Sequence, residues 1–220
     1  MHPEFGSRRM CVWLKQNEGV DVGRKAVRRC MREMGLEAIY PRQRTSTLSP
    51  GHKIWPYLLS GLKIERPNQV WSVDITYIPI RGAWLYLMAV MDWYSRYVLS
   101  WRLSDSLEMG FVLEAANEAL SRSTPEILNS DQGSHFTSSR FTSLFLDAGS
   151  RISMDHRGRA YDNIFVERLW RTVKYEDVYP HEYSTPREAR EGIDQYLNWY
   201  NTKRPHQSLD YKTPEAVWSA

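Results

Sequence analysis

The stretch QVWSVDITYIPIRGAWLYLMAVMDWYSRYVLSWRL, residues 69–103, decides the fold class. It divides into three runs rich in β-branched and aromatic residues, QVWSVDITYIPI, AWLYLMAVMDW and RYVLSWRL, broken at Arg81-Gly82 and at Tyr94-Ser95. Such side chains fit a pleated, half-buried surface, and breaks this short predict strands folded back on one another in an antiparallel meander. In the first run Ser72, Asp74 and Thr76 share one face, whereas Trp71, Val73, Ile75 and Tyr77 point the other way. A carboxylate in the middle of a core-like strand is costly unless it is paired or bound to a metal. Asp74 is therefore the first candidate functional residue.

Toward the C-terminus the pattern changes. LEMGFVLEAANEALSR reads as a helix, PEILNS as a short strand, SSRFTSLFLDAG as a second helix, RISM as a last short strand, and AYDNIFVERLWRTVKYE (160–176) as a third helix. Strands followed by alternating helix and strand predict an α/β (α+β) domain, a mixed sheet with helices packed on its faces. On the third helix Phe165, Val166, Leu169 and Val173 form an apolar stripe. Glu167, Arg171 and Lys174 fall together on a different face, with Asn163 beside them; taken alone, the stretch reads as a core helix with a solvated i,i+4 ion pair. Asp131 follows the strand PEILNS directly, in SDQGSHF, where Gly133 suits a tight turn; an Asx-turn is the plain structural role for that aspartate.

Asp74, Asp131 and Glu167 thus come from rigid elements or their ends. Hard divalent cations take oxygen ligands, and two such ions can activate an attacking oxygen and stabilise a leaving one in phosphoryl transfer. Arg171 and Lys174, one and two turns beyond Glu167, would face the same phosphate-rich region, and His135 reads either as a DNA contact near the Asp131 turn or as a polar loop residue beside a glycine.

The front of the chain carries a different charge. Residues 1–68 hold 13 Lys and Arg against 6 Asp and Glu, whereas residues 69–220 hold 16 against 20. SRRMCVWLKQNEG offers Ser7 as a helix N-cap and Gly19 as a stop, and GRKAVRRCMREMG (23–35) again ends in glycine. On the second helix Ala26, Val27, Cys30, Met31 and Met34 share one side, and Arg24, Lys25, Arg28, Arg29 and Arg32 occupy the other. Two short helices, the second strongly basic, read either as a helix-turn-helix-like module at 1–39 with Arg24, Lys25, Arg28 and Arg29 on DNA or as a plain helical hairpin with a charged outer face. Residues 40–66, rich in proline, read as a linker partly ordered by Ile54, Trp55, Tyr57 and Leu58, ahead of a core at 67–180 and a helical tail at 181–220. In the tail, Thr185-Pro186-Arg187-Glu188 and Thr213-Pro214-Glu215 both open helices. Trp199, Tyr200 and Trp218 read as packing groups, and Arg204, Pro205 and His206 as either backbone-phosphate contacts or structural residues.

Bulk properties narrow the class. A hydrophobic content of 42% and an aromatic content of 13% over 220 residues provide for a sizeable core. No apolar run approaches the roughly 18 residues that span a bilayer, and MHPEFGSRRM lacks a signal-peptide core. Cys11 and Cys30 form no disulfide framework and fit a reducing cytoplasm. The string His156-Arg157-Gly158-Arg159 contains an H-x-x-R pattern of tyrosine recombinases, but Tyr161 stands too close to it to be the later nucleophile.

SVDITYIPI, NSDQGSHFTS and YDNIFVERLWRTVKYE, with 35 residues between Asp131 and Glu167, resemble the three motif blocks of DDE transposases. More narrowly they resemble the second-reading-frame product of a large bacterial insertion-sequence family within the retroviral-integrase-like superfamily. WYNTKRPHQSLDYKTPEAVW is similar to the tail block of those proteins, and GSRRMCVWL with VGRKAVRRCMREMGLEAIY to their front. The resemblance implies an RNase H-like core with catalytic, metal-binding Asp74, Asp131 and Glu167, a family lysine at Lys174, and two Mg²⁺ (or Mn²⁺) ions in the active complex. It implies cleavage that frees a 3′-hydroxyl at the element end, which then attacks another phosphodiester in line. It also implies DNA partners (terminal repeats and target), a homodimer or higher oligomer on DNA, and a cytoplasmic, nucleoid-associated location. The start falls inside the front helical module, which reads as truncated, and the zinc-binding module of retroviral integrases is absent. A truncated, catalytically silent DNA-binding fragment is the alternative reading.

Overall fold

The computed structural model of the chain describes residues 5–36, 53–155 and 163–220, which fall into two units, Met1–Thr47 and Leu48–Ala220. Residues 40–52 of the expected linker, and the His156–Arg159 string with Tyr161, lie outside the described residues.

The front unit contains α1 (Ser7–Asn17) and α2 (Arg24–Glu33). Ser7 is the first helical residue rather than the cap: Met10 N–H already donates to the Gly6 carbonyl, so the chain enters the helix one residue early. Both stops behave as their glycines predict. Gly19 and Gly35 have φ of +66° and +65°, and the following N–H groups, of Val20 and Leu36, reach back to the carbonyls of Leu14 and Met31. The apolar side of α2 is narrower than its spacing suggests. Val27 is buried and Ala26 and Met31 are half-buried, but Cys30 and Met34 are exposed, since two short helices offer little surface to cover a five-residue face. Arg24, Lys25, Arg28, Arg29 and Arg32 are all exposed.

The larger unit is built on one five-stranded sheet in the order β3-β2-β1-β4-β5. The meander is β1 (Val70–Ile80), β2 (Ala83–Asp92) and β3 (Val98–Ser104), paired antiparallel as expected. α3 (Met109–Arg122) leads to β4 (Ile127–Ser130), and α4 (Ser139–Asp147) to β5 (Arg151–Met154), both strands parallel to β1. α5 (Ile164–Val173) follows. It widens into a π turn at Lys174–Val178 and a single turn, α6 (Tyr179–His181), so the expected helix 160–176 does not run on unbroken. α7 (Pro186–Thr202) and α8 (Pro214–Trp218) complete the tail. The Thr185 and Thr213 hydroxyls accept the N–H groups of Glu188 and Ala216, each at 3.2 Å, as the sequence predicts.

Helices on both faces give two cores. Ile78, Leu87, Ala89 and Met91 pack with Val166, Leu169 and Trp170 of α5 and Ile193 and Leu197 of α7. Trp71, Val73, Met88 and Leu99 pack with Val112 and Ala115 of α3 and Phe141 and Phe145 of α4. Double coverage explains why the strands read as near-continuous hydrophobic runs. The segment ahead of β1 lies on this sheet: Leu59 is buried with Val70, Trp93 and Ile127, and Leu58 N–H donates to Ser153 Oγ at 3.0 Å.

Candidate active site

The parallel register of the sheet places the aspartates. Val70, Trp71 and Ser72 of β1 pair with Ile127, Leu128 and Asn129 of β4. Two residues further along each chain come Asp74, still within β1, and Asp131, just past the end of β4, so the register brings the two aspartates abreast on neighbouring stretches of backbone, which in a sheet run about 4.8 Å apart. Ligands commonly sit beyond the carboxyl ends of strands in such sheets.

Asp74 is held from the other side by α5. Trp170 Nε1–H donates to Asp74 Oδ2 at 2.8 Å. Glu167 lies one turn earlier on α5 and Lys174 one turn later, where its ammonium donates to Thr76 Oγ1 at 2.8 Å, two residues beyond Asp74 on the same face of β1. Burial pushes the Asp74 carboxyl up to about 6; the indole hydrogen bond opposes this, and the charges of Asp131 and, more weakly, Glu167 add to it. Burial also raises Asp131, against the Gly133 N–H and the charge of His135. Burial lowers Lys174, with Asp74 pulling the other way.

Asp131 does make the Asx-turn, since Gly133 N–H donates to its Oδ1 at 2.9 Å. The glycine is required by close approach: a Cβ at 133 would stand 2.9 Å from that oxygen. The turn orients the carboxylate and leaves its second oxygen available. His135 follows, its Nε2 2.7 Å from the Leu107 carbonyl. Arg171 is exposed, 5.8 Å from the Tyr175 ring centre. Asn163 is buried at the α5 N-cap, and its Oδ1 has no hydrogen-bond partner among the described residues. The sequence reasoning missed Trp170 as a site residue. It falls beside the apolar stripe, and only the demand of a buried indole for an acceptor could have flagged it.

Glu167 is exposed and stands as the outlying carboxylate. Among the described residues no group of three His, Cys, Asp or Glu side chains is arranged to hold a metal ion. The donor chemistry nonetheless suits a hard divalent cation. Two desolvated carboxylates and a third within electrostatic reach supply oxygen ligands only, and each raised aspartate gains from a positive charge between them.

The comparisons now decide the family. Integrase core domain models match residues 64–160 and 148–214, and an HTH-like domain matches residues 1–44. The transposase for insertion sequence element IS904 of Lactococcus lactis is 34% identical over 211 residues, covering 90% of this chain and 81% of that protein. The chain belongs to the insertion-sequence transposases. The putative transposase InsK of element IS150 of Escherichia coli is 31% identical over 215 residues, covering 96% of the chain and 76% of that protein. The HTLV-2 integrase catalytic core, solved with magnesium in a dimeric form, matches with a TM-score of 0.59 at 19% identity, covering 72% of this chain and 100% of that one. That likeness establishes the fold as RNase H-like. As a transposase with an integrase core, the chain is a polynucleotidyl transferase of DNA transposition, and the silent-fragment reading is not favoured.

Proposed function

We propose that Asp74, Asp131 and Glu167 are the carboxylates with which this transposase cleaves and joins DNA strands at insertion-sequence ends. The observation that carries the assignment is the parallel β1–β4 register, which sets Asp74 beside Asp131 under the helix that bears Glu167. These three residues would hold Mg²⁺ or Mn²⁺, two ions in the active complex, supplying Lewis acidity at the scissile phosphate. Trp170 fixes the Asp74 carboxylate, the Asx-turn fixes that of Asp131, and Glu167 closes on them when DNA and cation are present. Lys174, positioned by Thr76, donates to a DNA phosphate rather than to a metal, because a protonated ammonium has no lone pair to give. Arg171, Asn163 and His135 border the same surface.

In this reading residues 1–39 hold the terminal repeats through Arg24, Lys25, Arg28 and Arg29, residues 40–66 tether them, residues 67–180 carry the chemistry, and 181–220 brace the core. The chain works as a dimer or higher oligomer on paired DNA ends and target DNA, in the cytoplasm on the nucleoid. The test is incubation of the purified chain with duplexes bearing the element's own ends and Mg²⁺. Nicked and joined products are expected from the native chain and none from Asp131→Asn. Products from Asp131→Asn at the native rate would refute the assignment.

A further inference from the structure

α5 has a second polar face that the catalytic reading does not use. At about 100° per residue, Phe165 and Thr172 lie about 100° or more round the helix from Glu167, Arg171 and Lys174, and Arg168 lies between the two groups, about 60° from Arg171. They line a cavity of about 430 Å³ together with Arg96 from the β2–β3 turn and Tyr200, Arg204 and His206 from the tail. A second cavity of about 340 Å³ adjoins it, sharing Arg96, Phe165 and Ser208 and adding Lys212.

Arg96, Arg168, Arg204 and Lys212 line this groove, with Asp210 as the one carboxylate among its lining residues. The Arg96 guanidinium carbon lies over the Phe165 ring, 3.4 Å from its centre, and the guanidinium donates to the Trp93 carbonyl. Its backbone has φ of +64°, a conformation that is uncommon and costly for a side chain of this kind, so the fold spends strain to place it. The buried Asp92 acts on Arg96 through space, but its oxygens are taken by Asn68 N–H at 2.8 Å and by Ser95 N–H and hydroxyl at 2.7 Å. Among the described residues neither Arg96 nor Arg168 forms an ion pair. Arg204 is clamped by Glu176 through Nε and Nη2 at 2.8 and 2.6 Å, so its fork is fixed and partly neutralised. His206, pushed down to about 4 by burial and by the two arginines, adds no charge at neutral pH.

We propose that this groove seats the sugar–phosphate backbone of DNA, with Arg96 and Arg168 as the phosphate donors and Lys212 continuing the track. The inference rests on the transposase reading and extends it to a second contact surface, which begins at Arg168 and runs round α5 toward Phe165 and the tail. Two adjoining cavities with cations along both suit successive phosphates of a strand better than one small anion. The planar guanidinium of Arg96, held over Phe165, and the exposed one of Arg168 both match phosphate oxygens in two-point contacts.

The test uses the full chain and a fluorescein-labelled duplex, with affinity measured by anisotropy across a salt series. Arg168 is exposed, so Arg168→Gln should fold with an unchanged Tm. It should weaken binding about threefold to tenfold and reduce the log–log salt slope by about 0.9, the contribution of one lost phosphate contact. Lys212→Gln should act in the same direction, and Arg187→Gln, at the start of α7 more than three turns from Tyr200, should leave the slope in place. An Arg168→Gln chain with native affinity and slope, while the native chain binds and cleaves DNA, overturns the groove and leaves the transposase reading intact. A native chain that neither binds nor cleaves overturns both. Competition by millimolar inorganic phosphate that abolishes the Arg168 effect without loosening the duplex would assign the groove to a small anion and refute the backbone site.

Discussion

Asp74 sits where its own charge is disfavoured, and two expectations follow at the scale of the residue. Its folded-state carboxyl titrates at about 6, above the 3.8 of an unfolded chain. Below both values the carboxyl is neutral in either state and costs nothing; as pH rises from about 4 to above 6 the folded state loses stability relative to the unfolded one. In metal-free buffer Asp74→Asn should therefore raise stability by roughly 2–3 kcal/mol at pH 7.5, several degrees in Tm, and leave Tm at pH 3.5 unchanged. A thermal melt at the two pH values checks this, and a gain of equal size at both would disprove the linkage. Trp170→Phe removes a donor to the charged form, so the acid limb of the cleavage profile should move up by about one pH unit. Stopped-time assays across pH 5–8 read it, and an unmoved limb would mean that the indole does not hold the carboxylate. Asp74 was legible in the sequence because a charge interrupts a core-like strand. Trp170 was not, because its polar role depends on a partner 96 residues away.

At the scale of the element, α7 carries a glycine whose role runs against helix propensity. Replacing a mid-helix glycine by alanine ordinarily gains about 1 kcal/mol. At Gly192 a Cβ would fall 1.9 Å from the Tyr183 hydroxyl, which donates to the buried Asp177 at 2.9 Å. Gly192→Ala should therefore cost about 1–3 kcal/mol by overpacking, whereas Gly110→Ala at the open start of α3 should be neutral to stabilising. Denaturant melts of the two variants give opposite signs if the packing is as described, and a stabilised Gly192→Ala would refute the close approach. The helix starts at Thr185 and Thr213 and the stops at Gly19 and Gly35 were readable because capping is local. The π turn after α5 was not. Asp177 turns inward to Tyr183 there, while Glu176 takes Arg204 and the Tyr196 hydroxyl, and these partners arrive only with the tail. The narrow apolar side of α2 escaped the reading for a related reason, since periodicity reports which residues could be buried and not how much partner surface exists.

For the whole molecule, the sequence set a basic front, residues 1–68, against an acidic body, whereas the two units part earlier, between Thr47 and Leu48. The mixed sheet and its strand types were legible because three strands in succession followed by helix–strand alternation leave few arrangements. The openness of the site was not, because the distance of Glu167 from the aspartates is set by side-chain and loop placement rather than by any periodic signal. The exposed cations of α2 should contribute binding without chemistry. Arg24→Ala with Arg28→Ala should flatten the salt dependence of duplex binding by about two contacts while DNA supplied at saturation is still cleaved, and an unchanged slope would exclude α2 from the interface. The central claim is that three carboxylates from three elements act as one catalytic centre. Its most direct test is Mg²⁺-dependent strand cleavage by Glu167→Gln, the neutral near-isostere at the outlying position, measured beside duplex binding. We expect cleavage to fall at least about a hundredfold with duplex affinity within about threefold of native; cleavage at the native rate by Glu167→Gln would contradict the account.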